Sequence, residues 1–439
     1  MPTLDDRSAA RRLLDRFGFG PRPGELDAAA ARGFDATLAA MLAPADDAGA
    51  KATPPPDLGA EPQQLGNNKD QQAKKQAEAT LQSQETKLTA WWLDRMVATE
   101  APLTERLTWF WHGHFATSVQ KVRSAKMMLA QNQTQRRLAT GDFTALAKAM
   151  IADPAMLVWL DGGQNRKGAA NENLAREFME LFTLGIGHYT ETDVREAARA
   201  LTGWHVDRLA GTATFVPKQH DTGTKTVLGT TAPLDANSLV DVLLARPDSP
   251  KFIAQRVWFR LVSGDPVPAD ALDRLVAAYG PHRDVAALLR AVAAEPAFRD
   301  QATSLVKQPV EWLVGLLRAV RLQPAGLPDA QRTQLLGALR GLGQIPFAPP
   351  SVGGWAAGGA WLSTSAGLAR LQLAQLVAAH ADLSGLAGLS ASARVDGVRA
   401  LLGVDAWTDR TKAALQKVDG DAKKILAVAA CAPEYVVSA

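Results

Sequence analysis

Cysteine is almost absent from this sequence, in which Cys431 is the only one. A single cysteine cannot form an intramolecular disulfide, which suits a reducing compartment. No uninterrupted stretch of about 18 apolar residues occurs either, and a membrane span is therefore not predicted. The first residues, MPTLDDRSAARRLLDRFGFG, include Asp5 and Asp6 but no continuous apolar segment, which argues against a signal peptide. These features favour a cytoplasmic protein.

Acidic and basic residues are nearly balanced, with 48 lysines and arginines against 45 aspartates and glutamates, a net charge of +3. The isoelectric point near 8.9 is not accompanied by a basic cluster, so a nucleic-acid partner is not predicted. Hydrophobic residues make up 47% of the chain, enough for a large core. Domains usually have roughly 100–200 residues. The length of 439 residues therefore predicts one large domain over 1–439 or two packed lobes, 1–232 and 233–439.

Apolar residues recur at three- and four-residue spacing in most of the chain, as in VEWLVGLLRAV and LARLQLAQLVAAH. This period is typical of amphipathic helices. Strand-like alternation is scarce and is clearest in ATFV at 213–216, with KTVL following at 225–228. The predicted fold class is mainly α, a large multi-helix globular domain with at most a small β-hairpin. Residues 43–68, rich in proline, alanine and glutamine, are predicted to form a flexible loop or insert.

Side chains suited to chemistry concentrate between positions 112 and 220, where five of the seven histidines occur. At the centre lies NENLAREFMELFTLGIGHYTETDVREAARALTGW, from Asn171 to Trp204. Gly185 is expected to end a first helix, because glycine tolerates the left-handed conformation. Thr190 and Asp193 are expected to begin the next helix with a capping box.

On the first of these helices, Asn173, Glu177 and Glu180 follow at i, i+4 and i+7 and share one face, which Arg176 borders. Two carboxylates one turn apart can divide the roles of acid and base if burial separates their pKa values. They can equally bind a metal together with histidines. A simpler interpretation is that Arg176 forms an ion pair with Glu180 while Glu177 is solvated. Both interpretations remain open from the sequence.

The stretch WFWHGHF, residues 109–115, places two histidines in an aromatic block. On a continuous helix, residues two apart point about 200° away from each other, so His112 and His114 could not face one site. If Gly113 ended the helix, both could converge on a ligand or a metal. The alternative is that they are buried core histidines. Together with His188, which follows a glycine-rich turn, they are the predicted ligands of a divalent metal such as zinc.

Two loop segments add further candidates. His220 and Asp221 lie in KQHDTGTKT, and a loop can carry function when a rigid scaffold positions it. The segment 345–360, IPFAPPSVGGWAAGGA, is rich in glycine and proline and is expected to cover a core edge or a pocket. Tryptophans in or near these motifs could stack on a sugar-like substrate: Trp111, Trp204, Trp355 and Trp361.

Several common catalytic templates are missing. The sequence has no Gly-x-Ser-x-Gly elbow, no Walker phosphate loop, no Gly-x-Gly-x-x-Gly after a strand and no His-Glu-x-x-His. Serine hydrolases, kinases and dinucleotide-dependent enzymes of the familiar kinds are therefore not predicted.

An ordered set of motifs resembles the bacterial domain-of-unknown-function family numbered 1800 over nearly the whole chain. It comprises RRLLDRFGFGPRPGEL, FWHGHFATS, DPAMLVWLDG, the block from Asn171 to Trp204, HDTGTKTVLG, VKQPVEWLVGLLRA and FAPPSVGGWAAGGAWLSTS. Many relatives look exported, so the resemblance keeps a periplasmic location open beside the cytoplasmic one. It also implies that eight polar residues belong to family motifs: His112, His114, Asn173, Arg176, Glu177, Glu180, His220 and Asp221.

Two functions fit these observations. The first is a hydrolase that acts through metal-assisted water activation, or through a carboxylate pair acting on a glycan-like or other small-molecule substrate. Its catalytic candidates are Glu177, Glu180, Asp221 and His220, and its substrate-binding candidates are Asn173, Arg176 and the four tryptophans. The second is a non-catalytic helical scaffold or binding protein in which the motif residues form a buried network.

Overall fold

A computed structural model describes residues 3–43, 46–62 and 70–438 of the protein and confirms the mainly α fold. None of the helices in these residues is both long and apolar enough to cross a membrane. The helices of the first part of the chain are α1 (Asp6–Arg16), α2 (Glu25–Arg32), α3 (Phe34–Leu42), α4 (Ala48–Ala52), α5 (Gln71–Ala98), α6 (Pro102–His114), α7 (Val119–Val122), α8 (Ala125–Arg137), α9 (Phe143–Ile151), α10 (Pro154–Trp159), α11 (Asn173–Glu177) and α12 (Glu191–Ala200).

The second part continues as a succession of helices: α13 (Ala236–Leu244), α14 (Asp248–Leu261), α15 (Ala269–Tyr279), α16 (Val285–Ala294), α17 (Pro296–Arg299), α18 (Pro309–Ala319), α19 (Asp329–Gly341), α20 (Thr364–His380), α21 (Ala391–Leu401), α22 (Asp409–Gln416), α23 (Ala422–Ala430) and α24 (Pro433–Val436). A π-helical segment, Phe178–Thr183, follows directly on α11. Short 3-10 turns lie at Gly162–Gln164, Pro217–Gln219, Pro324–Gly326, Gly358–Leu362 and Ser384–Leu386.

The β structure of the described residues is limited to three antiparallel pairs of short strands. The two segments with strand-like alternation, 213–216 and 225–228, each contain a strand, but these two strands do not pair with each other. The strands are β1 (Trp204–Asp207) with β2 (Thr212–Phe215), β3 (Lys225–Val227) with β4 (Thr230–Ala232), and β5 (Leu305–Val306) with β6 (Val437–Ser438). Leu228 and Gly229 have φ of 50° and 83°, as a two-residue hairpin turn requires. This turn closes β3 on β4 and leaves β2 to pair with β1.

Two apolar clusters form the core, and helix α6 contributes to both. Leu107 and Trp111 belong to the first cluster, which is otherwise built from residues 9–41, 103–201 and 227–298. Trp109 belongs to the second, built mainly from residues 58–155 and 310–436. The first cluster contains residues from before and after position 232, so the boundary between the two apolar clusters does not coincide with that position. The division into two lobes stays a prediction.

Buried arginines of the first motif connect the beginning of the chain to its end. Arg12 donates hydrogen bonds to the carbonyls of Phe298 and Thr303, both at 2.9 Å. Arg16 donates to the carbonyl of Val262 at 2.8 Å and to that of Ser438 at 2.9 Å. A buried guanidinium is costly unless its N–H groups find acceptors. These motif arginines therefore have a structural role.

The structure describes part of the predicted flexible insert at 43–68. Residues 44–45 and 63–68 lie outside the described residues, but α4 and a buried Leu58 lie between them. The Gln84 side chain donates to the carbonyls of Leu58 and Ala60, both at 2.8 Å. This part of the insert is thus attached to α5 by hydrogen bonds and an apolar contact.

Candidate functional site

Helix α6 continues through Gly113 and ends only at His114, so the hypothesis that Gly113 breaks the helix is wrong. The N–H of Phe115 still donates to the carbonyl of Trp111 at 2.8 Å, which continues the helical ladder past the glycine. Since the helix is unbroken, His112 and His114 project in opposite directions.

His112 is buried in the second apolar cluster. Its Nε2 accepts a hydrogen bond from the backbone N–H of Phe347 at 3.0 Å. The rings of Trp92 and Trp355 lie 5.4 Å from the imidazole, measured between centroids. Burial lowers the pKa of His112 to about 3, so the ring is neutral near pH 7. The contacts describe a core histidine with a backbone partner.

His114 faces the first cluster and contacts a surface groove. Its Nε2 lies 3.0 Å from the carbonyl of Phe182. A neutral ring that donates there must carry its lone pair on Nδ1. That Nδ1 is sealed from solvent and has no partner among the described residues. Burial, with a smaller contribution from the charge of Arg256, lowers the pKa of His114 to about 3. The unused acceptor marks this residue as the more interesting of the two histidines.

The helix that carries the predicted carboxylates changes its winding between them. Residues Asn173–Glu177 are α-helical, and Phe178–Thr183 form a π-helical segment. The Thr183 hydroxyl donates to the carbonyl of Phe178 at 2.7 Å. Single π turns inside helices are rare and occur often at functional sites. The helix ends just before Gly185, whose φ of 90° agrees with the predicted stop.

The two glutamates of this helix have different surroundings. Glu180 lines the groove and accepts a hydrogen bond from the Tyr189 hydroxyl. Burial and that contact with Glu180 raise the pKa of Tyr189 to about 12. Glu177 is half-buried, and desolvation, followed by the charge of Glu180, raises its pKa above the usual range. The pair therefore meets one condition for an acid and a base, a difference in environment.

The groove beside His114 has a volume of about 580 Å³. One wall is the π-helical segment with the turn that follows it, and the other is α14. Val352 and Gly353 of the glycine-rich loop complete it, so this loop covers a pocket edge as predicted. Of the predicted site residues, the groove brings together His114, Glu180 and His188. Four polar residues of α14 join them: Asp248, Lys251, Gln255 and Arg256.

The turn after the π-helical segment has glycines at the positions that need them. Gly185 and Gly187 have φ of 90° and 85°, and a Cβ on Gly185 would lie 3.1 Å from Cδ2 of Phe252. Glycine therefore lets the turn pack against α14. The same turn leaves Ile186 77% exposed at the rim and brings Nδ1 of His188 to 3.4 Å from a carboxylate oxygen of Asp248.

The polar residues of α14 were not predicted from the sequence. The segment DSPKFIAQRVWFRL looks like an ordinary amphipathic helix, and its polar positions carry no motif. The only signal was that Asp248, Lys251, Gln255 and Arg256 follow at i, i+3, i+7 and i+8, which places them on one face of a helix. That face becomes a groove wall only because α14 packs beside the π-helical segment.

Arg176 does not pair with Glu180, which corrects one of the expectations above. Its guanidinium donates to both carboxylate oxygens of Glu191, each at 2.7 Å, and to Glu172 at 3.2 Å. Glu191 lies in the first turn of α12, where the predicted capping box of Thr190 and Asp193 is confirmed. A bidentate pair suits the planar guanidinium, and Glu180 is engaged by the tyrosine instead.

Asn173 and the His220–Asp221 segment do not line the groove. The Asn173 amide donates to Asp161 at 3.4 Å. Nδ1 of His220 lies 2.9 Å from the Thr202 carbonyl. Asp221 accepts a hydrogen bond from Arg199 at 2.8 Å, which lowers the pKa of Asp221 to about 2. These contacts fasten the loop to the end of α12.

The predicted tryptophan platform is not at the groove either. Trp111 and Trp361 are buried and donate to backbone carbonyls at 2.8 and 3.1 Å. Trp355 is buried and stacks on Trp109 with centroids 4.9 Å apart. Trp204 is half-buried in β1 and packs against Phe215. These side chains pack into the protein and do not form a stacking rim around the groove.

The predicted metal ligands do not converge. His112 lies in the second cluster, while His114 and His188 are at the groove. Among residues 3–43, 46–62 and 70–438, no three side chains of the types His, Cys, Asp and Glu are grouped to hold a metal ion. The divalent-metal site stays a prediction without an assembled ligand set.

The chain was compared with known proteins. No curated protein and no solved structure matches it. A family described as a protein of unknown function, DUF1800, matches residues 12–437, nearly all of the 439 residues. The matched residues include those that line the groove, the two glutamates and, apart from Arg11, the motifs discussed above. The chain therefore belongs to the DUF1800 family.

Proposed function

We propose that this protein is a hydrolase whose active site is the groove beside His114. Its base is Glu180, which lines the groove, and its acid is Glu177, which lies one turn earlier on the same helix and is not among the lining residues. The observation that carries the proposal is the unequal environment of the two carboxylates. Glu180 lines the groove, whereas the pKa of Glu177 is raised by burial and, to a smaller extent, by the charge of Glu180. Enzymes that use paired carboxylates place the two groups in different environments.

The roles follow from the contacts. The Tyr189 hydroxyl engages Oε2 of Glu180, and Oε1 has no protein partner among the described residues. That oxygen can accept a proton from a water molecule in the groove and so activate it for attack. Glu177, whose pKa is raised by burial, supplies the proton that the leaving group needs. General acid and base groups of this kind typically contribute about 10²–10⁴-fold each.

The proposal is tested with a panel of chromogenic esters, amides, phosphoesters and glycosides. Glu177→Gln and Glu180→Gln should each lower kcat by about 10²–10⁴-fold without a large change in melting temperature. Glu172→Gln is the matched control, because Glu172 precedes the same helix and pairs with Arg176.

Activity should fall as pH rises through the pKa of Glu177, since the acid must be protonated. In Glu177→Gln this limb of the pH profile should disappear.

The metal-assisted version is tested separately by elemental analysis of protein purified without a metal-affinity tag. The carboxylate mechanism predicts substoichiometric metal and activity that survives chelation. Stoichiometric zinc that is lost in a folded His114→Ala variant would favour metal-activated water instead.

A non-catalytic scaffold is the second candidate, and the contacts of the motif residues favour it. His112, Arg176 and Asp221 each bind a structural partner, and none lines the groove. On this alternative, no substrate of the panel is turned over. Glu177→Gln would then change only the free energy of unfolding. Turnover by the natural protein, lost in the glutamine variants, excludes it.

A further inference from the structure

Arg256 is a cation without a protein partner in the groove. It is half-buried on α14, and its Nε is sealed from solvent without an acceptor. It forms neither a hydrogen bond nor an ion pair with any residue in the described part of the chain. The groove acids, by contrast, have partners: Asp248 lies against His188, and Glu180 binds Tyr189. Leaving a partly buried charge unpaired is costly.

The surroundings of Arg256 add positive charge and hydrogen-bond donors. Lys251 and Gln255 lie on the same helix and line the same groove. One turn further, Arg260 has a pKa lowered to about 10 by burial and then by the charge of Arg256. Its Nη2 lies 3.4 Å from the carbonyl of Trp355. Arg260 does not line the groove, so the α14 wall carries two cations, Lys251 and Arg256, and one acid, Asp248, which lies against His188. The opposite wall contributes Glu180.

We propose that the α14 wall binds an oxyanion, a carboxylate or a phosphate, with Arg256 as the main contact and Lys251 and Gln255 as additional donors. The substrate of the hydrolase would then be a small anionic molecule. Naming the ligand as the substrate rests on the proposed function, but the binding of an oxyanion does not. A guanidinium presents two parallel N–H groups that match the oxygen spacing of both anions. Glu180 repels an anion, so the ligand's anionic group is directed to Arg256.

The proposal is tested by calorimetric titration with inorganic phosphate and with acetate at constant ionic strength. We expect saturable binding of at least one of them, with a stoichiometry near one. Arg256→Gln should weaken the binding of the anion at least tenfold. Arg256→Lys keeps the charge but loses the two parallel N–H groups of the guanidinium, so its affinity should lie between those of the natural protein and Arg256→Gln. Arg290→Gln is the matched control, because Arg290 is an exposed arginine of α16, and it should bind as the natural protein does. The titration that saturates, with phosphate or with acetate, identifies the anion that the site binds.

Thermal unfolding separates a binding role from a structural one. Arg256→Gln removes an unpaired charge, so its melting temperature should equal or exceed that of the natural protein in buffer without these anions. The anion that binds should raise the melting temperature of the natural protein but not that of this variant. A large loss of stability in Arg256→Gln, or anion binding equal to that of the natural protein, overturns the proposal. The proposal is also overturned if the natural protein binds neither anion saturably.

The same titration with Glu180→Gln distinguishes the two proposals. This variant should bind the anion at least as tightly as the natural protein, because a like charge has left the groove, although it should have lost turnover. Anion binding without hydrolysis by any form of the protein would leave the Arg256 site standing and contradict the hydrolase. Hydrolysis with an unchanged KM in Arg256→Gln would contradict the anion site and leave the hydrolase standing.

Discussion

His112 and His114 are both neutral near pH 7, because burial lowers each pKa to about 3. They differ in whether the ring nitrogen that carries the lone pair accepts a hydrogen bond. His112 accepts from a backbone N–H inside the core. His114 lies at the groove, but its Nδ1 is sealed from solvent and has no partner among the described residues. Buried polar atoms normally have partners. An orphaned one beside a cavity is therefore better evidence of a site than the residue type itself.

Asp153 provides a prediction about pH at the residue scale. Burial raises its pKa to about 7, although it accepts hydrogen bonds from Gln131 at 2.7 Å and from the N–H of Met156 at 2.9 Å. Between roughly pH 4 and 7, the folded state retains a proton that the unfolded state has released. The free energy of unfolding should therefore fall as pH rises through this window.

Asp153→Asn removes this ionisation and preserves an oxygen acceptor for both donors. At pH 8 it should be more stable than the natural protein by about 2–4 kcal/mol, and the difference should vanish near pH 4. Urea denaturation across this range measures it. Asp142→Asn, at the exposed N-cap of α9, is the control. A pH-independent difference for Asp153→Asn would contradict the assignment.

At the scale of elements, the contact between α6 and the glycine-rich loop decides the shape of one groove edge. The helix presents Gly113, and the loop approaches it at Gly354, which has φ of 81°. A Cβ on Gly354 would lie 2.5 Å from the carbonyl oxygen of Gly113. The loop can approach this closely only because Gly354 lacks a side chain. This close approach keeps Val352 and Gly353 at the groove.

Alanine substitutions at the two glycines should have opposite effects. A Cβ on Gly113 would meet only Cε3 of Trp355, at 3.9 Å, and alanine in a helix is favoured over glycine by about 0.5–1 kcal/mol. Gly113→Ala should therefore raise the free energy of unfolding. Gly354→Ala combines a positive φ with a clash and should lower it by about 2 kcal/mol. Denaturant unfolding of both variants is the measurement, and a loss of stability in Gly113→Ala would argue against an unbroken α6.

At the scale of the whole molecule, the first apolar cluster makes the two halves of the chain interdependent. Residues 234–298 supply apolar side chains to this cluster, and so do residues 9–201. In the second cluster, Trp92 and Trp312 come from distant segments. A fragment cut at position 232 would expose apolar surface on both pieces, and burying that surface is the main stabilising contribution to folding.

Fragments 1–232 and 233–439 should accordingly fail to fold when expressed separately. We expect each to lack a cooperative thermal transition by circular dichroism and to be poorly soluble, whereas co-expression should recover part of the soluble material. The intact chain is the control. A sharp, reversible transition in fragment 1–232 alone would establish an independent lobe and contradict this expectation.

Local properties of the sequence determined the fold class, the helix boundaries near the main motif and the family. The spacing of apolar residues predicted helices, and Thr190 with Asp193 predicted a helix start that the structure confirms. These features depend on residues a few positions apart, whose interactions are nearly the same in any surroundings. The sequence also pointed to His114, Glu180 and His188, because unusual polar residues stand out within apolar segments.

Only the tertiary structure decided which of these residues meet. It separated His112 from His114, paired Arg176 with Glu191 and brought Arg256 into the groove. The sequence could not show this, because α14 begins 44 residues after Trp204, the end of the main motif, and its polar face has no signature of its own. The partners of a side chain depend on how helices pack, and packing is a property of the whole core. The π-helical segment is a further case, since no residue pattern in FMELFT distinguishes it from an α-helix.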